Sequence, residues 1–191
     1  MAKDQEILQN YIQDLQTTLE RLPKETILAI VGALRQARDQ HKHVFTFGNG
    51  SSSALADVLG VAYGKGVLRK SRLPGRPALR LVSLASNMPL FSAWANDSAY
   101  EVVFSEQLRS LGDAGDVAIG ISASGNSPNV IGGLQTAREM GMTTIGWTGF
   151  DGGKMAKHCD ICFIAPSTDM EQIEDVHMIL NHILLHMLRE G

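Results

Sequence analysis

Along residues 5–22 the apolar positions Leu8, Tyr11, Ile12, Leu15, Leu19 and Leu22 recur at the spacing of one helix face. Pro23 then opens a second helix with Ile27, Ile30, Val31 and Leu34 on one side, and the charged run RDQHKH ends it. Past this point the period changes. Short apolar runs, VFTF (44–47), ALRLVSL (78–84), DVAIGIS (116–122), TTIGWTG (143–149) and DICFIA (160–165), alternate with helical stretches. Those helices are predicted over about 52–63, in MPLFSAWA, in EVVFSEQLRSL, in PNVIGGLQTAREM and over about 170–189. Nearly continuous apolar strands separated by helices predict a parallel sheet covered on both faces. The expected fold is α/β: a doubly wound α-β-α sandwich with a five-stranded parallel sheet, preceded by two N-terminal helices. It is expected as one domain over 1–191, with 1–40 a helical oligomerisation segment and 41–191 the α/β core. The first helix has no partner of its own in this pattern, which predicts packing against another subunit.

Composition narrows the functional classes. The 191 residues are 44% hydrophobic and 19% charged, enough to bury a full core. A net charge of −3 and a sequence pI near 6.0 argue against direct nucleic-acid binding, which favours a basic domain. No apolar run reaches the roughly 20 residues needed to span a bilayer, and the polar N-terminus is unlike a secretion signal, so a cytoplasmic location is expected. The two cysteines form CDIC (Cys159, Cys162). Such a pair marks either a redox couple or half a zinc site. If both lie on one strand, three residues apart, they point to opposite faces and serve neither role; two core-lining thiols are then expected.

The chemistry concentrates in two loops that follow predicted strands: GNGSSS after the first and SASGNS (122–127) after the third. Glycines let the backbone approach a ligand closely, serines supply hydroxyls, and a helix starts at once, so free N–H groups and the positive dipole end converge. That combination holds a phosphate without lysine. The spacing matches neither a P-loop nor G-x-G-x-x-G.

FGNGSSSALA, AWANDSAYEVVFSEQLRSLGDAGDVAIGISASGNSPNVI, AREMGMTTIGWTGFDGGKMAKHCDI and QIEDVHMILNHILL together resemble the SIS (sugar isomerase) domain family. The branch most similar is sedoheptulose 7-phosphate isomerase, also called phosphoheptose isomerase or GmhA. The resemblance runs over nearly the whole chain and implies a homotetramer with phosphosugar sites between subunits. It places the phosphate on Ser122, Ser124 and Ser127, with Ala123 where the family usually has threonine. It assigns the sugar to Asn49, Gly50 and Ser52, together with Asn96 and Asp97.

The same resemblance exposes a break. Converting a ketose to an aldose moves a proton between adjacent carbons through an enediol, which needs a base and a group to stabilise the oxyanion. The isomerases use a His and a Glu one turn apart on the first core helix and a Gln and a His on the last, and zinc-bearing members hold the metal with these four. Counting from Gly48, the corresponding positions here are Val58, Ala62, Glu174 and His182. The nearby carboxylate Asp57 points about 100° away around the helix. The other histidines of VHMILNHILLHM, His177 and His186, read as packing residues, as does His182 when it stands alone.

Three functions follow. The first is a phosphosugar-binding or regulatory SIS protein without a cofactor. The second is an active aldose–ketose isomerase using Glu174 and His182, in which zinc enters only if these gain a further ligand. The third is a DiaA-like protein partner of the bacterial replication initiator. A basic stretch with Lys65, Arg69, Lys70, Arg72 and Arg76 suits either a solvated loop or a ligand-facing one.

Overall fold

Strand segments without a polar face must be covered on both sides, and that is where they lie. A computed structural model describes residues 1–66 and 77–191. Its five parallel strands are β1 (His43–Gly48), β2 (Arg80–Ser83), β3 (Val117–Ile121), β4 (Thr143–Thr148) and β5 (Ile161–Ile164), in the order β2-β1-β3-β4-β5. The helices described are α1 (Ala2–Glu20), α2 (Lys24–Asp39), α3 (Ser51–Val61), α4 (Met88–Asp97), α5 (Ser105–Leu111), α6 (Pro128–Glu139) and α7 (Met170–Glu190).

Alternation along the strands divides the core in two. Val44, Ile119, Ile121, Ile145, Trp147 and Phe163 point to one face, where α2, α3 and α7 cover them. Phe45, Phe47 and Ala118 point to the other, against α5, α6 and the ring of Phe104. The direction of winding reverses between β1 and β3, which pair from Val44↔Val117 to Gly48↔Ile121. A parallel sheet opens a crevice beyond its carboxyl edge at such a switch, and both Gly/Ser loops leave the sheet there.

Several boundaries differ from the sequence pattern for local reasons. Pro23 occupies the cap position of α2 rather than its first turn. The helix expected over EVVFSEQLRSL breaks into a 3₁₀ turn at Tyr100–Val102 and then α5. Adjacent Val103 and Phe104 are both fully buried, and the junction turns both side chains inward where one continuous helix would splay them apart. α3 ends at Val61 and passes into a π-helical turn, Ala62–Gly66, which carries the Tyr63 ring into the core. Of the basic stretch only Lys65 is described; Arg69, Lys70, Arg72 and Arg76 lie outside the described residues.

The expected placement of the two cysteines is also corrected. β5 begins at Ile161, so Cys159 precedes it as the cap of the 3₁₀ turn Ala156–His158 and escapes the strand's alternation. Its thiol lies over Gly146, the β4 residue paired with Cys162, so the two side chains share a face rather than facing apart.

α1 is half attached. Leu15 and Leu19 pack on the core, and the Tyr11 hydroxyl donates to Asp175 Oδ2 at 2.7 Å, whereas Ile7, Leu8 and Ile12 stand exposed.

Candidate functional site

The two loops are bound to one another by side chains. Asn49, just after β1, donates from Nδ2 to Asn129 Oδ1, and Asn129 Nδ2 donates back to Asn49 Oδ1, both at 2.9 Å. Asn129 Oδ1 also accepts from the Val130 amide at 3.0 Å, and the Tyr100 hydroxyl donates to Asn49 Oδ1 at 2.9 Å. Asn49, expected on the sugar, therefore braces the cradle with its side chain. Asn129 and Tyr100 escape a sequence reading because their partners lie 80 and 51 residues away.

The loop after β3 gathers its hydroxyls. Ser122 and Ser127 approach to 3.1 Å between their Oγ atoms, and Ser124 Oγ accepts from the Asn126 amide at 3.3 Å. Ser127 occupies the cap position of α6 without spending its hydroxyl on a helix amide. Gly125 has φ +64, and a Cβ there would strike the carbonyl of Gly152, so only glycine fits. The GFDGGK segment supports this turn from beneath. The Met155 amide donates to Gly125 O at 2.9 Å and the Lys154 amide to Asn126 Oδ1 at 3.2 Å.

On the other side, Gly50 caps α3 with φ 54, and the Ser52 side chain is buried under the helix start. Ser51 Oγ donates to Glu174 Oε1 at 2.6 Å. This sets a carboxylate of α7 at the amino end of α3, where the helix dipole favours negative charge. A cleft of about 290 Å³ opens beside it, lined by Ser51, Ser52, Leu55, Val58, Glu174 and His177, among others. Val58 thus presents a hydrocarbon wall. Ala62, one turn on, sits partly buried against the core.

The remaining sequence candidates are scattered around this centre. Asn96 Nδ2 donates to Asp97 Oδ1 at 2.8 Å at the exposed end of α4, three residues ahead of Tyr100. His182 is exposed on α7, roughly 12 Å of helix rise beyond Glu174, so one chain does not bring the two together. His177 is fully buried. Its Nε2 lies 3.1 Å from Thr148 O, which can only accept, so Nε2 carries a proton. Burial pushes its pKa down to about 4, against the opposing pull of the Thr148 bond and of the Glu174 charge.

A family profile for the SIS domain matches residues 9–149. The chain belongs to the SIS domain family. It is 37% identical over 166 residues to the phosphoheptose isomerase of Aquifex aeolicus, covering 87% of this chain and 84% of that one. It is 35% identical over 185 residues to that of Aliarcobacter butzleri, covering 96% and 90%. The phosphoheptose isomerase GmhA of Neisseria gonorrhoeae superposes with a TM-score of 0.86 at 28% identity, over 96% of this chain and 97% of that one.

The zinc that some SIS isomerases hold does not fit the residues present. Val58 and Ala62 offer no donor, Glu174 is engaged by Ser51, and His182 is not among the residues lining the cleft. Among the described residues no three His, Cys, Asp or Glu side chains gather closely enough to hold a metal ion. Three strong protein ligands are the norm for a catalytic zinc.

Proposed function

We propose that this SIS-domain protein binds a phosphorylated sugar and does not isomerise it by the phosphoheptose isomerase route, acting in a binding or regulatory role. The supporting observation is the wall of the cleft. Beside the hydroxyl- and amide-rich loops, the cleft wall carries Val58, and Ala62, the second position at which the isomerase resemblance expects a catalytic side chain, packs against the core. Aldose–ketose conversion needs a base within hydrogen-bond reach of the C–H, about 2.6–3.2 Å. A valine and an alanine accept no proton. The phosphate end of the ligand would meet Ser122, Ser124 and Ser127, and the sugar would extend over Gly50 and Ser52 toward Asn96 and Asp97.

The exposed apolar residues Ile7, Leu8 and Ile12 of α1 support assembly as a homotetramer, with a neighbouring subunit completing each cleft. Among the described residues no helix is long and apolar enough to cross a membrane.

Glu174 gives a second reading its one foothold. Its carboxylate lines the cleft and touches Ser51, so it could abstract a proton if a neighbouring subunit supplied His182 as the acid. Two measurements decide. Thermal stabilisation by a panel of sugar phosphates should identify a ligand, with about 2.7 kcal/mol added at 100 times its dissociation constant. Proton NMR of sedoheptulose 7-phosphate, with and without added zinc, should show no turnover. Turnover that disappears in Glu174→Ala would refute the binding-only reading. Stabilisation by no sugar phosphate, joined with capture of the replication initiator, would favour the DiaA-like role instead.

A further inference from the structure

Cys159 and Cys162 play no part in the cradle, yet they meet. Cys162 on β5 pairs in register with Gly146 on β4. Paired positions on neighbouring strands lie about 4.8 Å apart and point to the same face. Gly146 has no side chain, and the Cys159 sulfur fills the vacated slot: a Cβ built on Gly146 would fall 2.5 Å from Cys159 Sγ and 3.6 Å from its Cβ. The register therefore sets both side chains next to one another on the face shared with Met155. β5 is an edge strand of the sheet, and both cysteines are partly exposed, so a small reagent can reach them.

From this geometry we propose that Cys159 and Cys162 form a reversible thiol–disulfide site that exchanges with low-molecular-weight disulfides. The Cys162 thiolate attacks one sulfur of RSSR, forming a mixed disulfide and releasing RS⁻. Cys159 loses its proton to solvent and attacks the Cys162 sulfur, expelling the second RS⁻ and closing the Cys159–Cys162 bond. The dithiol is oxidised, RSSR is reduced to two RSH, and atoms and electrons balance. The neighbouring Cys159 thiol holds the Cys162 pKa below the ordinary thiol range while burial opposes, which suits Cys162 to the attacking role. Chain separation is no obstacle, because only Asp160 and Ile161 intervene. A zinc site is the other use of such a pair, but among the described residues no third ligand joins it.

The site borders the cradle's support. Cys159 Sγ donates to Met155 O at 3.3 Å, and the Met155 amide is the one bonded to Gly125. Closing the disulfide removes the S–H that makes the first of these bonds.

The test uses the intact native protein, incubated with glutathione disulfide, trapped with an alkylating agent and mapped by peptide mass. The wild type should convert to an internal Cys159–Cys162 disulfide that dithiothreitol fully reverses, with the near-ultraviolet circular dichroism retained. Cys159→Ser should instead stop at a glutathione adduct on Cys162. The proposal is overturned if both thiols of the native wild type stay alkylatable, if it stops at the mixed disulfide, or if the internal bond forms only in denaturant. These readouts need no sugar phosphate, so their failure and a failure of the proposed ligand are told apart.

Discussion

Acidification should loosen this fold through one ring. His177 is buried, neutral and pinned to Thr148, with a pKa near 4 against an ordinary 6.5. Above pH 6.5 the ring is neutral in both folded and unfolded chains, and its titration has no effect on stability. As pH falls from 6.5 toward 4, only the unfolded chain takes up the proton, so folding weakens. Below about 4 both states are charged and the loss levels off. At 1.36 kcal/mol per pKa unit the full penalty is about 3 kcal/mol, and between pH 7 and pH 5 it is about 2 kcal/mol. Urea unfolding followed by Trp fluorescence at pH 7, 6 and 5 should show this slope in the wild type. In His177→Gln, whose amide can still donate to Thr148, the slope should flatten even if the variant starts lower. Parallel pH dependence in the two proteins would refute the assignment of the acid lability to His177.

Other expectations follow from the cradle. Ser122→Ala removes a hydroxyl from the anion pocket and should weaken phosphosugar binding about tenfold in calorimetry, with unfolding nearly unchanged, as suits a charge-assisted hydrogen bond. Asn129→Ala removes both amide hydrogen bonds to the half-buried Asn49 and should lower stability by about 1–3 kcal/mol in denaturant titration. Gly125→Ala must both adopt φ +64 and displace the Gly152 carbonyl, so its melting temperature should fall more than that of any serine variant in the same loop. Metal analysis of protein purified with zinc present should find less than stoichiometric metal, since Val58 and Ala62 offer no ligand.

The architecture was readable because its signals are local and periodic. Phe45, Phe47, Ile119 and Trp147 lie in nearly continuous apolar runs, and the five strands emerged with ends shifted by a residue or two. The two Gly/Ser loops were readable as one site because each follows a strand and precedes a helix. Contacts made across the chain left no such trace. Nothing near Asn129 announces its pairing with Asn49, and Tyr100 looks like one more apolar residue ahead of Val102. Glu174 could be placed on the last helix by its pattern, but not against Ser51. The cysteines were misjudged because strand alternation was applied to Cys159, a residue that precedes the strand; the slot over Gly146 exists only once β4 and β5 are paired.

The carboxylate that α7 lends to the start of α3 gives the groove a polarity. The loop after β3 gathers hydroxyls, and the cleft at the start of α3 holds a carboxylate already settled on Ser51. A monophosphate can lie with its anion at the first and its neutral chain at the second. A bisphosphate would set its second anion against Glu174, where like charges about 4 Å apart repel by roughly 1–4 kcal/mol. On the proposed binding function, head and tail of the ligand would thereby be told apart, and doubly charged sugars disfavoured.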